Sequence, residues 1–159
     1  MADQKDIDRY LANLSDERNS AAMYRALAEA EENPKLAQVY QKLSDTEQGH
    51  AEAWAERLQT AGARVLPFRP ARRTRMLIWL SRRLGAQAVL PTLASIEQTS
   101  SHGYSRQPEA GEMAGTESMH ARLLQQISQS TRGGMEGGVL AQRKGGTAQQ
   151  AAMHCEQRF

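Results

Sequence analysis

The sequence predicts an all-α protein, and three observations carry that prediction. Alanine, leucine, glutamine, glutamate and arginine dominate while valine and isoleucine are scarce, so intrinsic propensity favours helix along most of the chain. Apolar and small residues recur at steps of three and four over long stretches, which places them on one face of a helix. The prolines fall at the beginnings of the periodic segments or between them. At 159 residues the chain has the size of one domain plus a tail.

The first helix covers about residues 5–31, with Ile7, Leu11, Leu14, Ala21, Tyr24 and Ala28 at helical spacing. Asn33-Pro34 breaks it. Proline is tolerated at a first helical position, so a second helix starts there and runs through Leu36, Tyr40, Leu43, Trp54 and Leu58 to Ala61, where Gly62 ends it. Arg64 to Pro70 holds two prolines and reads as irregular, and Arg72 to Leu84 reads as a short basic helix around Met76, Leu77, Ile78, Trp79 and Leu80, closed by Gly85. A third long helix is expected over 86–106, with Pro91 in its first turns, and Pro108 opens a fourth that reaches about Ser130. Six of the sixteen residues 131–146 are glycine, so 131–159 reads as a flexible tail. The domain then spans 1–130, with 64–85 as a basic connector.

The formal net charge of +2 hides an asymmetry: residues 1–61 carry 12 acidic against 7 basic side chains, whereas 64–83 carries seven arginines and no acid. Such a run is either a solvated connector or a surface that attracts anionic lipid head groups or phosphates. No recognition motif accompanies the arginines, so nucleic acid is not an expected partner. The lone cysteine, Cys155, allows no intrachain disulfide, no secretory signal opens the sequence, and no apolar run approaches the roughly 20 residues that span a bilayer. A cytoplasmic setting is expected, with membrane association through 64–83 as an addition to it.

The inward stripes of the four long helices are Leu14, Glu17, Ala21, Tyr24; then Leu43, Glu47, His50, Trp54; then Leu90, Leu93, Glu97, Ser101, Tyr104; and Met113, Glu117, His120, Leu124, Ile127. A carboxylate interrupts each. In the second and fourth helices a histidine follows three residues later, close enough to aim at the same centre. Four buried carboxylates repel one another unless cations neutralise them. One glutamate from each of two helices and Glu-x-x-His from each of two others form a known two-metal ligand set, so Glu17, Glu47, His50, Glu97, Glu117 and His120 are the expected metal ligands.

The spacing supports the set. At about 1.5 Å rise per residue, Glu17 to Glu31 and Pro34 to Glu47 each span ~20 Å, and Glu97 to Arg106 and Pro108 to Glu117 each span ~13.5 Å, so each hairpin returns its second ligand to the height of the first. Both halves read Glu-x6-Tyr, a proline-started helix, then Glu-x-x-His. Tyr24 and Tyr104 are expected in the core beside the ligands. His102 lies off the stripe and reads as a surface residue. Glu29, Glu31, Glu32 and Glu112 read as solvated. Nitrogen and oxygen donors of this kind suit two iron ions, with manganese or zinc as alternatives.

Glu17, Tyr24, Glu47-x-x-His50, Glu97, Tyr104 and Glu117-x-x-His120 resemble the rubrerythrin and ferritin-like superfamily over about residues 5–130. Within it, the run Glu17–Ala28 and the stretch Gly133-Gly134-Met135-Glu136-Gly137-Gly138 are most similar to the soluble rubrerythrin-like domain of membrane-bound ferritins, which resemble vacuolar iron transporters. The resemblance implies a ferritin-like four-helix bundle of two helical hairpins. It also implies a non-haem di-iron oxidoreductase that oxidises Fe(II) with O2 or H2O2, in iron homeostasis or oxidative-stress defence. Glu47 and Glu117 would bridge the metals, Tyr24 and Tyr104 would stand beside the reacting centre, and a homodimer is expected. The alternative is a non-catalytic domain that senses iron or delivers it to a membrane transporter. Two features depart from the rubrerythrin pattern: the sequence lacks the Cys-x-x-Cys pairs of a rubredoxin module, and Ser100 stands where a further carboxylate is expected three residues after Glu97.

Overall fold

The computed structural model describes residues 2–135, with side chains to residue 130. Among these residues the secondary structure is helical throughout, without a strand. The elements are α1 (Gln4–Ala30), α2 (Pro34–Thr60), α3 (Arg72–Leu84), α4 (Leu90–Tyr104) and α5 (Gly111–Met135), with 3-10 turns at Ala86–Ala88 and Pro108–Ala110. Two compact units divide the chain after Arg82. No helix among the described residues is long and apolar enough to cross a membrane.

In the first unit α1 packs along α2. Asp3 caps α1 by accepting a hydrogen bond from the Asp6 amide at 2.8 Å, and the Asp6 side chain accepts in return from the Asp3 amide. Asn33 caps α2 by accepting from the amides of Lys35 and Leu36, while Pro34 fills a first-turn position that has no donor to lose. Gly62, at φ 75°, ends α2: its amide reaches the Gln59 carbonyl and the Ala63 amide reaches that of Leu58. The hairpin is antiparallel, since Tyr10 lies against Trp54 and Ala21 faces Ser44.

The connector docks on α1. Asn19 Oδ1 accepts from the Ala71 amide at 2.9 Å and from Thr74 Oγ1 at 2.8 Å, and the Arg18 guanidinium donates to the Leu66 carbonyl. Farther along, Arg82 meets Glu29 at 3.5 Å, so α3 runs parallel to α1. Thr74, Leu77 and Ser81 form the buried face of α3.

The second unit is the α4–α5 hairpin. Here the helix starts differ from expectation. The third long helix begins as α-helix at Leu90, not at residue 86, because the Pro91 ring would clash with the carbonyl four residues back; a 3-10 turn precedes it. Pro108 likewise opens a 3-10 turn, and α5 proper starts at Gly111. At its far end α5 continues past Ser130 to Met135, through Gly133 and Gly134. Glycine weakens a helix by about 1 kcal/mol but ends one only by turning to positive φ, which among the described residues Gly62 and Gly85 alone do. The expected tail beyond residue 135, with His154 and Cys155, lies outside the described residues.

Candidate functional site

Each unit groups two buried glutamates with one histidine. In the first, the α1 stripe carries Glu17 inward between Leu14 and Ala21, and the α2 stripe carries Glu47 between Leu43 and Ala51. Glu17 is 3% exposed and Glu47 fully buried. His50, one turn beyond Glu47 and half-buried, places Nδ1 at 3.7 Å from an oxygen of each glutamate. In the second unit Glu97 on α4 and Glu117 and His120 on α5 are each 1% exposed. Within either triad, one donor atom per residue lies within 4.8 Å of the others.

The electrostatics of the first triad favour a cation. Burial pushes the Glu17 carboxyl from its ordinary 4.5 to about 7; a hydrogen bond with His50 works against the rise, and the neighbouring Glu47 adds to it. Two carboxylates so close cannot both ionise comfortably, whereas a divalent ion would offset both charges at once. The donors fit: metal bonds of about 2.0–2.2 Å to imidazole nitrogen and carboxylate oxygen allow ligand atoms of one ion to lie up to ~4.2 Å apart, which the 3.7 Å contacts satisfy. The buried Glu/His groups can therefore hold metal.

The six expected ligands thus fall three to a unit. Tyr24 and Tyr104, 1% and 4% exposed, lie two turns along the same stripes from Glu17 and Glu97. His102 is exposed and hydrogen-bonds the Gln98 side chain at 3.1 Å. Glu29, Glu32 and Glu112 are exposed, and Glu31 is half-buried.

Three features escaped sequence reasoning. A serine ties each hairpin at the height of its buried glutamates: Ser44 Oγ donates to the Ala21 carbonyl at 3.0 Å, and Ser101 Oγ to the Ala114 carbonyl at 2.8 Å. Ser44 precedes Glu47 by three residues and Ala21 follows Glu17 by four; in the other hairpin Ala114 precedes Glu117 by three and Ser101 follows Glu97 by four. The same crosslink thus recurs with donor and acceptor exchanged. Second, Trp54 is buried as its stripe predicts, but its ring contacts were not foreseen: it lies 5.3 Å from Tyr10 and beneath the Arg57 guanidinium at 4.8 Å. Third, the fully buried Tyr40 hydroxyl has no hydrogen-bond partner, and burial, followed by the nearby Glu31 charge, drives its pKa up. The polar anchors leave no periodic trace, because a serine or asparagine reads alike whether it faces solvent or a neighbouring carbonyl.

Comparison with known proteins found no family model, no curated protein and no solved structure that matches this chain.

Proposed function

We propose that the chain is a non-haem di-iron protein of the rubrerythrin and ferritin-like kind, which oxidises Fe(II) with O2 or H2O2. The observation that carries this reading is the repeated triad: each hairpin buries two carboxylates and an imidazole at one height, with a serine crosslink in the same register. The finer fold belongs to the proposal as well, with α1–α2 and α4–α5 as the two hairpins of a ferritin-like four-helix bundle. The charge balance supports it, since four carboxylates and two neutral imidazoles match two divalent cations. Buried carboxylates and imidazoles suit iron, with manganese and zinc as the nearest competitors.

In this reading Glu47 and Glu117 would be the bridging carboxylates, His50 and His120 the terminal imidazoles, and Glu17 and Glu97 would complete the ligand set. Iron held there would supply the electrons that reduce O2 or H2O2. Without metal, burial holds the Glu17 carboxyl near pKa 7, so loading an ion at neutral pH would displace a proton from it. Tyr24 and Tyr104, buried two turns along the stripes of Glu17 and Glu97, would stand beside the reacting centre in this reading.

The test is anaerobic loading with ferrous iron, then mixing with H2O2 or O2 and following ferric absorbance. Oxidation faster than that of free iron, lost in Glu47→Ala and Glu117→Ala, supports the reading. Two bound irons without accelerated oxidation would instead favour an iron-sensing or iron-delivery module.

A further inference from the structure

We propose that the outward face of α3 is a docking surface for an anionic membrane, on which the helix lies flat. This inference is independent of the metal site. Thr74, Leu77 and Ser81 face inward, and Asn19 and Glu29 hold the helix against α1 from its first turn to its last. The opposite face is a single stripe at helical spacing: Arg72, Met76, Trp79 and Arg83. All four are exposed, Met76 at 59% and Trp79 at 61%. Of the seven large apolar side chains exposed among the described residues, three (Met76, Trp79 and Leu84) belong to this helix. Arg73, Arg75 and Arg82 flank the stripe, and no acid occurs over residues 64–83.

Charge and shape together select the occupant. A surface that needed only solubility would carry arginine without a tryptophan at its centre. A phosphate-rich partner alone would gain little from Met76. The head-group region of an anionic bilayer takes both: guanidinium groups pair with lipid phosphates while an indole and a thioether enter the boundary with the acyl chains. At 13 residues α3 is about 20 Å long, and no helix among the described residues can cross the bilayer, so the fit is to lying on the membrane.

The experiment is flotation of the full chain with vesicles of phosphatidylglycerol and phosphatidylcholine, against phosphatidylcholine alone. The wild type is expected to float with the anionic vesicles only and to be released by high salt. Trp79 fluorescence should be quenched by brominated lipid, while the fully buried Trp54 supplies an unquenched background. Each of Arg72→Gln and Arg83→Gln should weaken partitioning about fivefold. Trp79→Ala should abolish the quenching with the helical spectrum unchanged. No flotation at low salt overturns the proposal. So does flotation unaffected by these three substitutions, or a single-stranded oligonucleotide that binds more tightly than the vesicles and displaces them.

Discussion

Glu17 sits where three demands meet: a helix stripe that buries it, a second carboxylate beside it, and an imidazole that partly compensates. Its folded pKa of about 7 lies above the ordinary 4.5, so its contribution to the stability of the metal-free protein is full below pH 4.5 and is lost as pH rises from there through 7. The loss expected from that one shift is on the order of 3 kcal/mol. Urea unfolding of metal-free protein at acid and alkaline pH should show it, and Glu17→Gln should flatten the dependence; an equal slope in the variant would remove Glu17 as its origin. Metal reverses the sign, because cation binding requires the carboxylate, so apparent affinity should rise with pH across the same window and protons should be released on loading. Glu17, Glu47, Glu97, Glu117 and the two histidines were legible from the sequence because helical spacing joins them to apolar neighbours. Tyr40 was legible as core, but its unpartnered hydroxyl was not, since nothing local specifies where an acceptor is missing.

The helices show where local chemistry suffices and where it does not. Asn33-Pro34 and Gly62 bound α2 through one side-chain oxygen, one absent donor and one positive φ, all properties of the residues themselves. Asn33→Ala should therefore cost about 1 kcal/mol of stability, and Gly62→Ala about the same through strain alone, since a Cβ there meets no atom within 4 Å. Thermal melts of the two variants check both values. Pro91 and Pro108 were harder to place, because a proline marks a helix start only to within a turn; here Pro91 follows a 3-10 turn and Pro108 opens one. The serine crosslinks were invisible in sequence, yet each joins its two helices within about a turn of the buried glutamates. Ser44→Ala and Ser101→Ala should each cost about 1 kcal/mol in denaturant titrations and weaken metal binding while leaving the ligands in place. Affinity equal to wild type in both would assign the serines to hairpin stability alone.

At the scale of the whole molecule, the chain repeats one device: a hairpin that buries Glu, Glu and His at matched height, tied by one serine. The proline-started second helix and the return distances made both hairpins readable in the sequence, since rise per residue is a property of the helix and not of its surroundings. The docking of α3 along α1 was not readable, because it rests on Asn19 and Arg18 reaching backbone some fifty residues away. Metal should bind the folded state in preference to the unfolded chain, so chelation should lower the melting temperature of wild type and leave that of Glu47→Ala nearly unchanged. The most direct test of the central claim is metal content after reconstitution with ferrous iron and gel filtration. The account predicts two ions per chain in wild type and a clear loss in Glu47→Ala and in Glu117→Ala. A wild type without bound metal, or variants that retain both ions, would contradict it.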